Sequence, residues 1–347
     1  MSESECLFGK QNKDPVELAI VVPTYKRIEF LLQVIRSINC QKNPYEIDYK
    51  VIIVSNDPDF NVMDVSEYID GAKYIVYRNK QNIGMCGNIN QCYKLACASF
   101  VSYIQDDDFF TESYLSDVGR IIRSGIAEEY DCIIPNRYFL QECNRNRIYK
   151  MVYKIKKYLK NLILGSYLPR SEMISFSPED CLKSLYPLYV GGPTCGITFN
   201  KKRLKDNVKF DENYPYVFDY LFFMNLDRNL KFALYDKYLS VYRTSDSASN
   251  RPEVQFDFFR GKYDYFNSNR KKLKYIDRNF DMLVKYSRDG YPDNVKNMID
   301  EKYPKVKVCY IRYLFFRIKA FKYLLGMRGF RERYCPRRYE TFSKEKI

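Results

Sequence analysis

The chain is 347 residues long, 46% hydrophobic and 29% charged, enough for one large α/β domain with an appendage or for two domains. It contains no histidine, which excludes His-ligated metal centres and every Ser/His or Cys/His nucleophile. The formal charge of +14 suggests an anionic partner, and its distribution is uneven: residues 143–171 carry +8 without a single acid, residues 303–347 carry +10, and the remainder is mildly acidic.

The first strong element is residues 17–22, a continuous apolar run ended by Pro23-Thr24, as expected of a parallel strand buried on both faces. Helical spacing follows over residues 30–38. Residues 49–54 read as a second strand, broken at Ser55-Asn56-Asp57-Pro58, and residues 72–77 as a third. The third leads into a glycine-bearing loop over 79–87 and a helix through Ile89, Cys92, Tyr93, Leu95 and Ala96. A fourth strand over 100–104 ends on Gln105-Asp106-Asp107-Asp108. This alternation predicts an α/β fold of Rossmann-like type, a mainly parallel sheet flanked by helices. Such sheets bind ligands beyond the carboxyl ends of their strands, which is where Pro23-Thr24-Tyr25, Asn56-Asp57 and the three aspartates fall. Adjacent carboxylates repel strongly at low dielectric, so the triplet calls for a hard divalent cation such as Mg²⁺ or Mn²⁺. Read alone, it is equally an acidic turn that caps the next helix.

Two basic segments follow. An insert at about 145–170 places Ile148, Met151, Val152, Ile155, Tyr158, Leu159, Leu162 and Ile163 at helical spacing opposite a lysine face. Residues 306–325 repeat the theme, with Val308, Ile311, Leu314, Phe315, Ile318 and Phe321 among Arg312, Arg317, Lys319 and Lys322. Both suit the surface of an anionic membrane, and from its pattern alone the insert suits equally a helix docked on the body with its lysines solvated. Cations interleaved with aromatics also suit nucleic acid, but no RNA- or DNA-binding motif accompanies them, and nucleic acid is not an expected partner. We divide the chain into residues 1–250, an α/β domain that contains the insert, and residues 251–347, a helical, basic and aromatic C-terminal extension expected to be a membrane-surface or acceptor-side element. The N-terminus lacks a signal-peptide apolar region, and no run approaches the roughly 20 apolar residues of a spanning helix. The eleven cysteines are scattered without a Cys-x-x-Cys pair, as expected of reduced, cytosolic thiols.

Four stretches, residues 20–27, 51–57, 82–90 and 103–108, resemble in order and spacing the motifs of the family 2 glycosyltransferases, which have the GT-A fold. The resemblance spans roughly residues 17–250. It implies a nucleotide-sugar donor (UDP-, GDP- or dTDP-sugar), with Pro23, Thr24, Tyr25 and Arg27 around the nucleoside and Asn82, Gly84 and Asn88 lining the donor site. An aspartate after the second strand contacts the base in that family; here Asn56 and Asp57 both qualify. Asp106 and Asp108 match the Asp-x-Asp that grips ribose and metal, with Asp107 between them. Gly191 and Gly192 resemble the small-residue segment beneath the acceptor. Asp219 matches the catalytic base, with Phe218 in place of a preceding acid; without the resemblance it reads as an N-cap for a helix over 220–229. Arg243 is expected to pair with the diphosphate, and Ser245 stands where the family often carries a histidine, leaving Asp246 as a substitute ligand. The expected activity is metal-dependent, inverting transfer of a sugar to a hydroxyl of a glycan or lipid-linked glycan in surface polysaccharide synthesis, by a protein peripheral on the cytoplasmic face of the cell membrane. The alternatives are a nucleotidyltransferase with Asp-bound Mg²⁺ and a non-catalytic membrane scaffold on a degenerate GT-A fold.

Overall fold

Strand and helix alternate as β1 (Ser4–Phe8), β2 (Val16–Thr24), α1 (Ile28–Asn39), β3 (Tyr49–Ser55), β4 (Tyr74–Asn79), α2 (Gly84–Leu95), β5 (Ala98–Tyr103), β6 (Phe109–Phe110) and α3 (Tyr114–Arg123). They continue through β7 (Cys132–Leu140), β8 (Met173–Phe176), β9 (Thr198–Asn200), α4 (Lys201–Leu204), α5 (Phe218–Asn225) and β10 (Phe232–Arg243). The helices α6 (Pro252–Asn269), α7 (Lys274–Asp289), α8 (Asp293–Lys302) and α9 (Tyr310–Gly326) follow. The computed structural model describes residues 4–10, 14–140, 173–176, 195–204, 208–225, 230–243 and 251–326. The basic insert at about 145–170, Gly191, Gly192, Ser245 and Asp246 lie outside the described residues.

One sheet runs in the order β1-β4-β3-β2-β5-β9-β7-β10-β6, with β8 on β10. The four strands read from the sequence form its parallel half, β4-β3-β2-β5. They read as apolar runs because consecutive residues feed opposite faces: Leu18, Ile20, Val22, Val51 and Ile53 enter one core, and Ala19, Val21, Ile52 and Val54 enter the other. Helix α1 closes the first face with Leu31, Val34, Ile35 and Ile38, the apolar positions of its helical repeat. The other half of the sheet is mixed, because β9 is inserted antiparallel to both β5 and β7.

From β2 the chain winds one way to β3 and β4, and β5 returns on the other flank of β2. The crevice beyond the carboxyl ends of β2 and β5 is therefore the point where strand order reverses, the ligand position in open α/β sheets. The C-terminal helices share the second core, since Phe259, Phe280 and Leu283 belong to one apolar cluster with Val217, Phe218 and Phe232.

Helix α6 packs against the start of α5 at Gly261. A Cβ there would overlap Val217 Cγ1 and stand 3.3 Å from Leu221 Cδ1 and from Tyr214 Cδ1. We expect Gly261→Ala to cost about 1–3 kcal/mol of stability through overpacking, read from the urea midpoint. A midpoint equal to the parent's would show that α6 has room to shift.

Candidate active site

Asp106 follows β5 and faces the end of β2 across the switch point. Its Oδ2 accepts hydrogen bonds from Thr24 Oγ1 at 2.9 Å and from the Tyr25 backbone N–H at 3.2 Å. Its Oδ1 faces Arg27 Nη1 at 3.5 Å, and the same nitrogen donates to Asp107 Oδ2 at 2.7 Å. Lys26, between these donors, has a φ of 56°, a left-handed conformation that turns the chain back toward the aspartates. Burial, reinforced by Asp107, pushes the Asp106 carboxyl up to about 6 against the opposing pull of Arg27, Thr24 and Tyr25.

Asp108 is buried more deeply. Its Oδ1 accepts the Arg243 backbone N–H at 3.0 Å, while Oδ2 is buried without a hydrogen-bond partner. Asp107 Oδ1 is likewise buried and unpartnered. Burial first, and the Asp107 charge second, raise the Asp108 carboxyl well above the usual carboxylate range. Arg243 clamps the turn: its Nε donates to the Asp107 carbonyl at 3.1 Å, Nη2 donates to Gln33 Oε1 at 2.7 Å, and the guanidinium lies 4.7 Å from the Phe30 ring centre. Two orphaned carboxylate oxygens in one turn match the donor set of a hard cation that takes one or two protein carboxylates and completes its shell from a ligand. Among the described residues no group of three or more His, Cys, Asp or Glu gathers to form an all-protein cage.

Asp219 stands in the first turn of α5 with Oδ1 accepting the Tyr220 N–H at 2.7 Å. Burial pushes its carboxyl up to about 6, and Arg137 and Lys262 pull in the other direction. Neither cation was among the residues singled out in the sequence. Arg137, on β7, is buried, which lowers its pKa, and the Cys195 thiol, Tyr242, Asp108 and Asp219 pull it in the other direction. Its one signal in the sequence is a cation inside the strand 132–140. The Lys262 Nζ, from α6, lies 5.4 Å from the Tyr220 ring centre and donates to the Tyr291 hydroxyl at 3.5 Å. Burial lowers its pKa to about 8 while Asp219 holds it up. Nothing local in the α6 sequence marks it.

Beside the aspartates lies an uncharged network. Asn56 Oδ1 accepts from Asn79 Nδ2 at 3.1 Å and from the Ile83 N–H at 3.0 Å; its Nδ2 donates to Asn82 Oδ1 at 2.7 Å and to the Gly84 carbonyl at 3.1 Å. An amide can make four such bonds, so Asn56 is saturated by the protein. Asn88 is committed in the same way, accepting from Asn79 at 2.9 Å and donating to the Val54 carbonyl at 3.0 Å. Asp57, half-buried, accepts the Asp59 N–H on its Oδ1 at 3.3 Å. Thr24, Tyr25, Arg27, Asp106, Asp107, Asp108 and Arg243 thus form one cluster, next to Asn56, Asn82, Gly84 and Asn88. Pro23 sits half-buried on β2 just before Thr24. Gly191 and Gly192 lie outside the described residues.

Residues 19–171 match the model of Glycosyl transferase family 2. The chain is similar to the uncharacterized glycosyltransferase YwdF of Bacillus subtilis, 26% identical over 163 residues that make up 46% of this chain and 58% of that protein. An uncharacterized glycosyltransferase of Rickettsia bellii is 23% identical over 160 residues, 46% of this chain and 21% of that protein. The chain therefore spans less than two thirds of the curated relatives it matches. In fold it is similar to S. aureus TarS 1–349 in complex with UDP-GlcNAc, with a TM-score of 0.55 and 16% identity over 90% of this chain and 81% of that one. A second S. aureus TarS structure gives a TM-score of 0.53 at 15% identity, over 83% of this chain and 55% of that one. The matched residues 19–171 carry the switch point and its Asp-x-Asp turn, so this part of the chain is similar to glycosyl transferase family 2, on a sheet of the GT-A type.

Proposed function

We propose that the protein transfers a glycosyl group from a nucleoside diphosphate sugar to an acceptor hydroxyl, with inversion at the anomeric carbon. The observation that carries this reading is the Asp106-Asp107-Asp108 turn, which keeps two buried carboxylate oxygens without a partner and whose Asp108 shares Arg137 as an electrostatic neighbour with Asp219. The UDP-GlcNAc bound by the similar TarS supports a donor of that class. Tyr25, 42% exposed at the lip of the crevice, offers a ring to a base, and Asp57 is the remaining acceptor for its N–H groups because Asn56 is saturated.

In this reading the acceptor hydroxyl oxygen attacks the anomeric carbon as the bond to the diphosphate oxygen breaks, and the hydroxyl proton passes to Asp219. A carboxylate held near 6 suits that task, because it is ionised at neutral pH yet more basic than an exposed aspartate. Asp108, with Asp107 beside it, would hold Mn²⁺ or Mg²⁺, which when bound neutralises the charge that develops on the departing diphosphate. Asp106 then orients the Thr24-Tyr25 loop, and Arg243 fixes the turn from behind. The acceptor is a glycan or lipid-linked glycan, and the setting is the cytoplasmic face of the membrane. Release of nucleoside diphosphate from a panel of UDP-, GDP- and dTDP-sugars with Mn²⁺ or Mg²⁺ tests the proposal; release of pyrophosphate would identify a nucleotidyltransferase instead.

Three outcomes are expected. Asp219→Asn lowers turnover by about 10²-fold or more, and the parent's rate climbs with pH through about 6 as Asp219 ionises. The same variant is more stable than the parent at neutral pH. Because the folded carboxyl holds its proton above the ordinary value, the stability it contributes is complete below about pH 4 and lost as pH rises through about 6. The difference in unfolding free energy should grow to roughly 1–3 kcal/mol by pH 7 and vanish near pH 4, and a pH-independent difference would contradict the burial of a charge. Asp108→Asn removes the Mn²⁺-dependent rise in melting temperature produced by nucleoside diphosphates while leaving the circular dichroism spectrum of the parent, and an undiminished rise would remove the metal role.

A further inference from the structure

Helix α9 is apolar on two faces. Its inner face, Tyr313, Phe316 and Ala320, is buried against the C-terminal helices, and the Tyr313 hydroxyl donates to Asp289 Oδ2 on α7 at 3.1 Å. Its outer face carries Tyr310, Ile311, Leu314, Phe315 and Ile318, exposed at 73, 64, 45, 66 and 42%. At 100° per residue these five occupy one continuous sector of about 140°, so they form a stripe along the helix and not scattered exposures. Large aliphatic and aromatic side chains gathered in this way mark a contact surface.

The charge around the stripe identifies the contact. Arg312 and Lys319 are exposed along one margin and Arg317 along the other, with Lys305 and Lys307 exposed just before the helix. Residues 303–331 include no acidic residue and eight basic ones. A second copy of this face would set cations against cations. The acyl and headgroup layers of an anionic bilayer complement both the stripe and its margins. No described helix is long and apolar enough to cross a membrane, and the docked inner face keeps α9 lying flat. We infer that the outer face of α9 is a membrane-docking surface that inserts Tyr310, Ile311, Leu314, Phe315 and Ile318 into the interface of an anionic lipid bilayer, with Arg312, Arg317 and Lys319 on the headgroups. It needs no donor or metal, so its failure leaves the proposed transfer reaction untouched, and the reverse.

The chain contains no tryptophan, so Phe315→Trp gives a probe on the stripe without background from other indoles. Titrating this full-length variant with vesicles of phosphatidylcholine and phosphatidylglycerol should shift its emission to the blue and allow quenching by brominated acyl chains, whereas phosphatidylcholine alone should do neither. By cosedimentation of the full chain, Ile311→Ser with Phe315→Ser should weaken binding to the mixed vesicles by about tenfold or more, and Arg312→Gln, Arg317→Gln and Lys319→Gln together should abolish the preference for anionic over neutral lipid. Both sets should keep the parent's melting temperature, because the substituted side chains are exposed. Equal binding of parent and variants, or no change in Phe315→Trp emission with either lipid, would overturn the inference. So would a dimer, detected by sedimentation velocity, that the serine variant dissociates, since the stripe would then be an interface between copies.

Discussion

Mutual repulsion of three consecutive carboxylates at the sheet's switch point is the constraint around which the rest of this site is arranged. At an effective dielectric near 20, two like charges 4 Å apart repel by about 4 kcal/mol, a large fraction of the net stability of a domain. The fold answers with cations from elements far apart in sequence. Arg27 after β2 bonds Asp106 and Asp107, and Arg243 at the end of β10 bonds the Asp107 carbonyl and Asp108. Arg137 in β7 adds a buried positive charge that pulls the carboxyls of Asp108 and Asp219 down. The compensation is incomplete, because one oxygen each of Asp107 and Asp108 stays buried and unpartnered. Buried polar atoms without a partner are destabilising.

Next to this charged turn, the amide network of Asn56, Asn79, Asn82 and Asn88 does the opposite. Every donor and acceptor of Asn56 is matched, so the network stiffens the loop before α2 without adding charge to the crevice. The β1 arm is part of it, since Ser4 Oγ donates to Asn79 Oδ1 at 2.6 Å and accepts from Gln91 Nε2 at 2.8 Å. A neutral, hydrogen-bonded frame thus lies beside a turn that concentrates negative charge.

The C-terminal helices join the two surfaces to which function is proposed. Helix α6 supplies Lys262 to the surroundings of Asp219 and, through the close approach at Gly261, fixes the start of α5. Helix α7 holds α9 through Asp289 and Lys285 on Tyr313. The apolar core running from Val217 and Phe218 to Phe316 and Ala320 is continuous, so the exposed stripe of α9 is carried on the same body as the crevice.

The parallel half of the sheet was legible in the sequence because β2, β3, β4 and β5 are buried on both faces, and double burial leaves an uninterrupted apolar run. The aspartate triplet was equally plain, since acids adjacent in the chain must be adjacent in space. The reach of α9 was readable for a similar reason: its apolar spacing is a property of a single helix. The antiparallel insertion of β9 was not visible, because three residues are too few to set up a period. Nor could the chain order tell Asn56 from Asp57, since the difference between them is that partners 23 to 28 residues away saturate one, while the other accepts the nearby Asp59 N–H. Arg137 and Lys262 matter through charges brought to them from β5 and α5, and which face of α9 is docked depends on α7. Local chemistry is therefore written in the order of residues, whereas hydrogen-bond saturation, desolvation and exposure are properties of neighbours that meet only when the chain has folded.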